Sequence, residues 1–87
     1  MSERELLEFP CEFPIKVMGA ADVSLEQLVT TILSRHVSDL DAAAITSRPS
    51  RHGKYIAVTA LITARDQQQL DAIYEELSAH EDVMLAL

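Results

Sequence analysis

Phe13-Pro14-Ile15-Lys16-Val17-Met18-Gly19 sets Phe13, Ile15 and Val17 against Pro14, Lys16 and Met18. A period of two residues sends successive side chains to opposite faces of an extended chain, which predicts a half-buried strand over 13–18. Gly19 stops the pattern. A helix-start signal follows at once, with Ser24 and Gln27 spaced as a capping box and Asp22 as a rival cap. The stretch holds no nucleophile, no metal-ligand spacing and no phosphate loop, which needs several glycines. It sets the layering of the fold without announcing a chemistry.

Toward the C-terminus, Leu25, Leu28, Val29, Ile32 and Leu33 fall on one stripe, so a helix is predicted to run to about His36. Ala42 to Ser47 reads as a weak strand whose strong strand formers are Ile45 and Thr46. Arg48-Pro49-Ser50-Arg51-His52-Gly53 is a turn. Lys54 to Thr63 is the clearest strand, with Ile56, Val58, Ala60 and Ile62 on one face and Tyr55, Ala57, Thr59, Leu61 and Thr63 on the other. Asp66, with Gln69 three residues on, opens a second helix whose buried stripe is Leu70, Ile73, Tyr74 and Leu77. Val83, Leu85 and Leu87 alternate with Met84 and Ala86 in a last strand. Toward the N-terminus, residues 1–12 read as an arm, either a short helical turn or an extended lead-in, whose Leu6, Leu7 and Phe9 can fold back onto the body, and Pro10 ends any helix.

The predicted order is βαββαβ, one domain over 13–87 behind the arm. Two helices with single apolar stripes cover one face of a four-stranded sheet. Right-handed crossovers then favour an antiparallel sheet with strand order 4-1-3-2, an α+β ferredoxin-like sandwich with one face free of helices.

Composition narrows the function. Eighty-seven residues suffice for one small core, and 48% hydrophobic content excludes a disordered chain. No apolar run approaches the ~20 residues that span a bilayer, so no membrane partner is expected. The acidic start M-S-E-R-E-L-L-E lacks a secretory pattern, and a cytoplasmic location is expected. Cys11 is the single cysteine, and with His36, His52 and His80 it makes no zinc spacing. A formal charge of −7 repels polyanions and argues against nucleic-acid binding. The charge is uneven: Arg48, Arg51 and Lys54 crowd three of the seven basic residues together, leaving four basic against fourteen acidic elsewhere.

L-L-E-F-P-x-x-F-x-x-K-V-M-G over Leu6–Gly19, R-H at Arg35-His36, P-S-x-x-G-x-Y over Pro49–Tyr55 and Y-E-E-L over Tyr74–Leu77 resemble the small bacterial YbeD-like family, a domain of unknown function. The resemblance covers nearly the whole chain. It implies a βαββαβ fold similar to ACT regulatory domains, which bind small metabolites, and a regulatory role linked to lipoate. Met18-Gly19-Ala20-Ala21 departs from the Asp-Arg-Pro-Gly-like turn of amino-acid-binding ACT domains, so amino-acid binding does not carry over.

Catalytic readings are weak. Cys11 has no histidine nearby in sequence to activate it. His36 and His80 sit at helix ends, where an imidazolium suits the dipole. Glu75-Glu76 and Glu81-Asp82 are adjacent pairs; neighbours in a helix point about 100° apart and such pairs are usually solvated, so no general acid/base dyad is expected. No enzyme activity, metal or cofactor is expected. The reading is a regulatory or small-ligand-binding module, with an interaction adaptor working through the helix-free sheet face as the alternative.

Two surfaces carry these readings. Met18, Tyr55, Ala57, Leu61, Met84 and Ala86 share the helix-free face with Lys16 and Thr59, which predicts a homodimer or a protein partner there. The Gly19 turn, the Arg48–Lys54 hairpin and the His80-Glu81-Asp82 loop share one end with the start of the first helix. That predicts a small anionic metabolite, or an acidic patch of a partner, at Gly19, Arg48, Arg51, His52 and Lys54. A solvated hairpin that offsets the acidic body is the plainer alternative.

Overall fold

In the computed structural model, which describes residues 8–87, the first strand β1 runs Cys11–Ala20. The helix α1 follows over Leu25–Ser34, then a single 3-10 turn over Ala42–Ala44, β2 over Ile45–Pro49, β3 over Tyr55–Ala64, α2 over Gln67–Ala79 and β4 over Leu85–Ala86. The sheet order is β2-β3-β1-β4, which is 4-1-3-2 from its other edge, and every neighbouring pair is antiparallel.

Gly19 does not stop β1. β3 offers it a partner as far as Tyr55, so the pairing continues through Gly19↔Ile56 to Ala20↔Tyr55. Because β1 begins at Cys11, the arm ends at Pro10. Phe9 packs against the core, and the expected fold-back of Leu6 and Leu7 lies outside the described residues. Cys11 is a free, half-buried thiol at the head of the strand.

The core lies between the helices and one sheet face. Ile15, Val17, Val58, Ala60, Ile62 and Ala64 supply the sheet side; Leu25, Val29, Ile32 and Leu33 of α1 and Leu70, Ile73 and Leu77 of α2 close it. Each fully buried branched side chain contributes about 1.5–3 kcal/mol. Phe13 meets Tyr74 edge to face at 6.4 Å, pinning β1 to α2.

Helix starts differ from the sequence pattern in one case. Asp66 accepts from the Gln69 N–H at 2.7 Å, as predicted for α2. Ser24 makes no side-chain cap bond, so the capping box of α1 does not form. Alanine favours helical backbone over extended, and Asp41 caps the Ala42–Ala44 turn by accepting from the Ala43 N–H at 2.9 Å. The second strand is therefore displaced toward Pro49. β4 is shorter than expected because the turn after α2, closed by Val83 N–H to His80 carbonyl at 3.1 Å, sets the direction of Val83. Ala86 then pairs with Val17 and packs on the core, while Leu85 pairs with Met18. The placement of Ala86 on the helix-free face is corrected: Leu85 and Leu87 take that side.

Candidate functional site

Register assembles the helix-free face in rungs. Thr46, Thr59 and Lys16 lie side by side across β2, β3 and β1, and Arg48, Ala57, Met18 and Leu85 form the next rung. Leu87 joins the Lys16 rung through reciprocal backbone bonds of 2.9 and 2.7 Å. The four β3 residues on this side are Tyr55, Ala57, Thr59 and Leu61. Ala57 and Thr59 are small and sit between longer neighbours, so the centre of the sheet sinks into an open trough of about 630 Å³ lined by Lys16, Thr46, Ser47, Arg48, Ala57 and Thr59. A smaller hollow of about 120 Å³ lies on the other side of Lys16, against Met18, Leu85 and Leu87.

This face keeps large apolar side chains in water. Met18 is 40% exposed, Tyr55 41%, Leu61 44%, Leu85 47% and Leu87 64%. Met84 is exposed as well, ahead of β4, where its N–H bonds the Met18 carbonyl at 2.8 Å. Lys16 and Arg48 make no ion pair among the described residues.

The five residues expected to form an anion site do not converge. Gly19 is buried on the helix side of the sheet, where an added Cβ would stand 2.6 Å from the Asp82 carbonyl oxygen and 3.2 Å from Leu25. Arg48 lines the opposite face. Arg51, His52 and Lys54 are exposed on the hairpin tip, whose turn is closed by Ser50 and Tyr55 and passes through Gly53 at φ +74°. The three loops do share one end of the molecule, since the Ala21 N–H bonds the Lys54 carbonyl at 2.9 Å and the Asp82 carbonyl closes on Gly19. The sheet nevertheless separates Arg48 from Gly19 and the start of α1.

A polar clasp that the sequence pattern did not single out joins the ends of the two helices. His36 donates from Nε2 to Glu76 Oε1 at 2.8 Å, and the Arg35 guanidinium holds Glu76 Oε2. The hydrogen bond from His36, helped by the charge of Arg35, holds the Glu76 carboxyl below the usual carboxylate range against an opposing cost of desolvation. Gln69, the buried polar residue among those described, accepts from the Arg65 N–H at 2.7 Å and donates to the His36 carbonyl at 2.8 Å. His36 is thus a tie to α2 rather than only a helix-end cation, and Glu76 is not a free solvated carboxylate. Both Glu76 oxygens are occupied by Arg35 and His36, just past the end of α1, which suits a structural tie. The Arg35-His36 and Tyr74–Leu77 blocks were the available signal, since they mark the two halves of this clasp.

Among the described residues, no group of three or more His, Cys, Asp or Glu is placed to hold a metal ion. No helix there is long and apolar enough to cross a membrane.

The family described as protein of unknown function (DUF493) matches residues 4–87. A UPF0250 protein of Neisseria gonorrhoeae is 44% identical, with 100% of each chain covered. A UPF0250 protein of Nitrosomonas europaea is 38% identical over 100% of both chains. One of Paraburkholderia phytofirmans is 37% identical over 94% of this chain and 92% of its own.

Proposed function

The chain belongs to the DUF493 family of proteins of unknown function, and on that premise we propose that it is a non-enzymatic regulatory module that binds a protein across the helix-free face of its sheet. The observation that carries this reading is the line of exposed Met18, Tyr55, Leu61, Leu85 and Leu87 on that face. A single exposed apolar residue needs no explanation, but five on one sheet face, with Met18, Leu85 and Leu87 together along β1 and β4 and Tyr55 and Leu61 on either side of a polar centre, support an interaction surface. The ferredoxin-like arrangement fits an ACT-like regulatory role, in which binding at one surface alters a partner's state.

Shape favours a protein over a small metabolite as the occupant. Ligand pockets are enclosed clefts of about 300–1,000 Å³ that bury most of their ligand. The apolar hollow at Met18, Leu85 and Leu87 is about 120 Å³, and the larger trough is open to solvent along the sheet. The link to lipoate rests on the family resemblance alone.

The test is native mass spectrometry and sedimentation of freshly purified protein. An assembly that Leu61→Glu dissolves, with an unchanged circular dichroism spectrum, is the expected result. A chain that is monomeric at every accessible concentration and retains no partner overturns the reading.

A further inference from the structure

We propose that the trough on the helix-free face takes an extended acidic segment of another protein, with carboxylates at its centre and apolar residues at both ends. The inference rests on the sheet-face reading and adds the chemistry of the occupant. Small Ala57 and Thr59 form the floor, Lys16 stands on one wall and Arg48 on the other. Lys16 is opposite Thr59 and Arg48 opposite Ala57, so the two cations sit diagonally across β3. Strand spacing and rise put their Cα atoms about 12 Å apart, and their offset of two residues along β3 lets each long side chain reach one of two carboxylates spaced two residues apart on an extended partner. Thr46 and Thr59 place hydroxyl groups in the same trough.

Lengthwise, the trough ends at Tyr55 and Leu61, both exposed and six residues apart on one strand. An extended partner with sheet-facing residues in the order apolar, acidic, acidic, apolar matches that span of about 20 Å. Among the described residues, Glu12 is the acidic side chain of the β1 and β3 rungs on this face, and it lies beyond the Leu61 end, opposite Thr63. The chain carries −7 overall, yet the centre of this face carries two cations without ion-pair partners among the described residues. Charge complementarity therefore selects an acidic occupant. It also disfavours a second copy, because a two-fold contact would set Lys16 and Arg48 against the same cations.

The probes are three synthetic seven-residue peptides, with leucine at both ends and Glu, Gln or Lys at positions three and five, titrated into the 15N-labelled full chain. The Glu peptide is expected to move the amide resonances of Lys16, Thr46, Arg48, Ala57 and Thr59, and to bind about tenfold tighter than the Gln peptide. Lys16→Glu with Arg48→Glu is expected to lose the Glu peptide and gain the Lys peptide. Lys16→Gln with Arg48→Gln, a milder pair, is expected to erase the preference. Equal binding of Glu and Gln peptides, or no binding of any at millimolar concentration, overturns the proposal. So does a response to inorganic phosphate or succinate without a response to peptide, which marks a small-anion site. Stronger self-association after the neutralising pair Lys16→Gln with Arg48→Gln, which removes the repulsion between like cations of a two-fold contact, points to a second copy and also overturns it. If Leu61→Glu dissolves the native assembly while the charge-reversed chain assembles as wild type, the sheet-face reading stands and the acidic occupant falls. If neither variant changes assembly, both fall.

Discussion

One added carbon at Gly19 would stand 2.6 Å from the Asp82 carbonyl oxygen, a contact with backbone that no rotamer change relieves. Gly19 has no positive φ, so its constraint is close approach and not conformation. Gly19→Ala is expected to cost about 1–3 kcal/mol in urea denaturation through overpacking. A cost near zero would mean that the loop carrying Asp82 yields freely. Gly53 is the opposite case, at φ +74° with open space around it, so a side chain introduced there is opposed by backbone strain alone. A second residue-scale expectation concerns Glu76. Its pKa is lowered in the fold by the His36 bond and by Arg35. The unfolded chain therefore binds the proton more readily, and stability rises with pH across the interval between the lowered value and the ordinary carboxylate value. The contribution is complete above that interval and is lost as pH falls through it. Glu76→Gln should flatten the acid limb of melting temperature against pH, and an unchanged limb would show that the clasp adds nothing to stability. None of this was legible from the carboxylates themselves. Glu75 and Glu76 are neighbours in sequence, and only the packing of α1 on α2 distinguishes the one that meets Arg35 and His36.

At the scale of elements, the two helix starts give a paired prediction. Asp66 accepts the Gln69 N–H at 2.7 Å, whereas Ser24 offers its helix no side-chain bond. Asp66→Ala should lose about 1 kcal/mol, within the 0.5–2 kcal/mol span of N-caps, and Ser24→Ala should be close to neutral by the same thermal or chemical denaturation. Equal effects would refute the assignment of the caps. Most elements were readable because their period is strong: the alternation of Ile56, Val58, Ala60 and Ile62, and the stripe of Leu70, Ile73 and Leu77, each point one way. Ambiguity entered where local preference and tertiary pairing compete. Ala42–Ala44 obeyed alanine's helical preference, and the strand formed only from Ile45, where β3 supplied partners. The tail from Val83 alternates in sequence, but the turn after α2 takes Val83 first, so the register of Leu85 and Ala86 against Met18 and Val17 was hidden. Gly19 and Arg48 of the candidate anion set are parted for a related reason. Placing loops at one end of the fold was correct, but side chains in adjacent loops can still lie on opposite sides of the sheet, as Gly19 and Arg48 do.

For the whole molecule, the question is whether the helix-free face is free in the folded chain. Leu61 and Ile62 are neighbours on β3 and point to opposite sides: Ile62 is 3% exposed in the core and Leu61 is 44% exposed. Truncating Ile62 leaves a cavity among packed neighbours, for which Ile→Ala changes cost about 2–5 kcal/mol. Truncating Leu61 removes atoms that already touch water, and surface changes of that kind stay within about 0.5 kcal/mol. The chain alone, diluted until it is monomeric, should therefore tolerate Leu61→Ala and lose several kcal/mol with Ile62→Ala in urea. Comparable losses for the two would mean that the face around Leu61 is already covered within the folded chain, and it would then be unavailable to any partner. A near-zero cost for Leu61→Ala in the dilute monomer, combined with a loss of stability when the native assembly is intact, would locate the stabilisation from Leu61 between molecules. That division follows from the fold itself, because two helices bury one side of a four-stranded sheet and leave the apolar residues of the other side for another surface to cover.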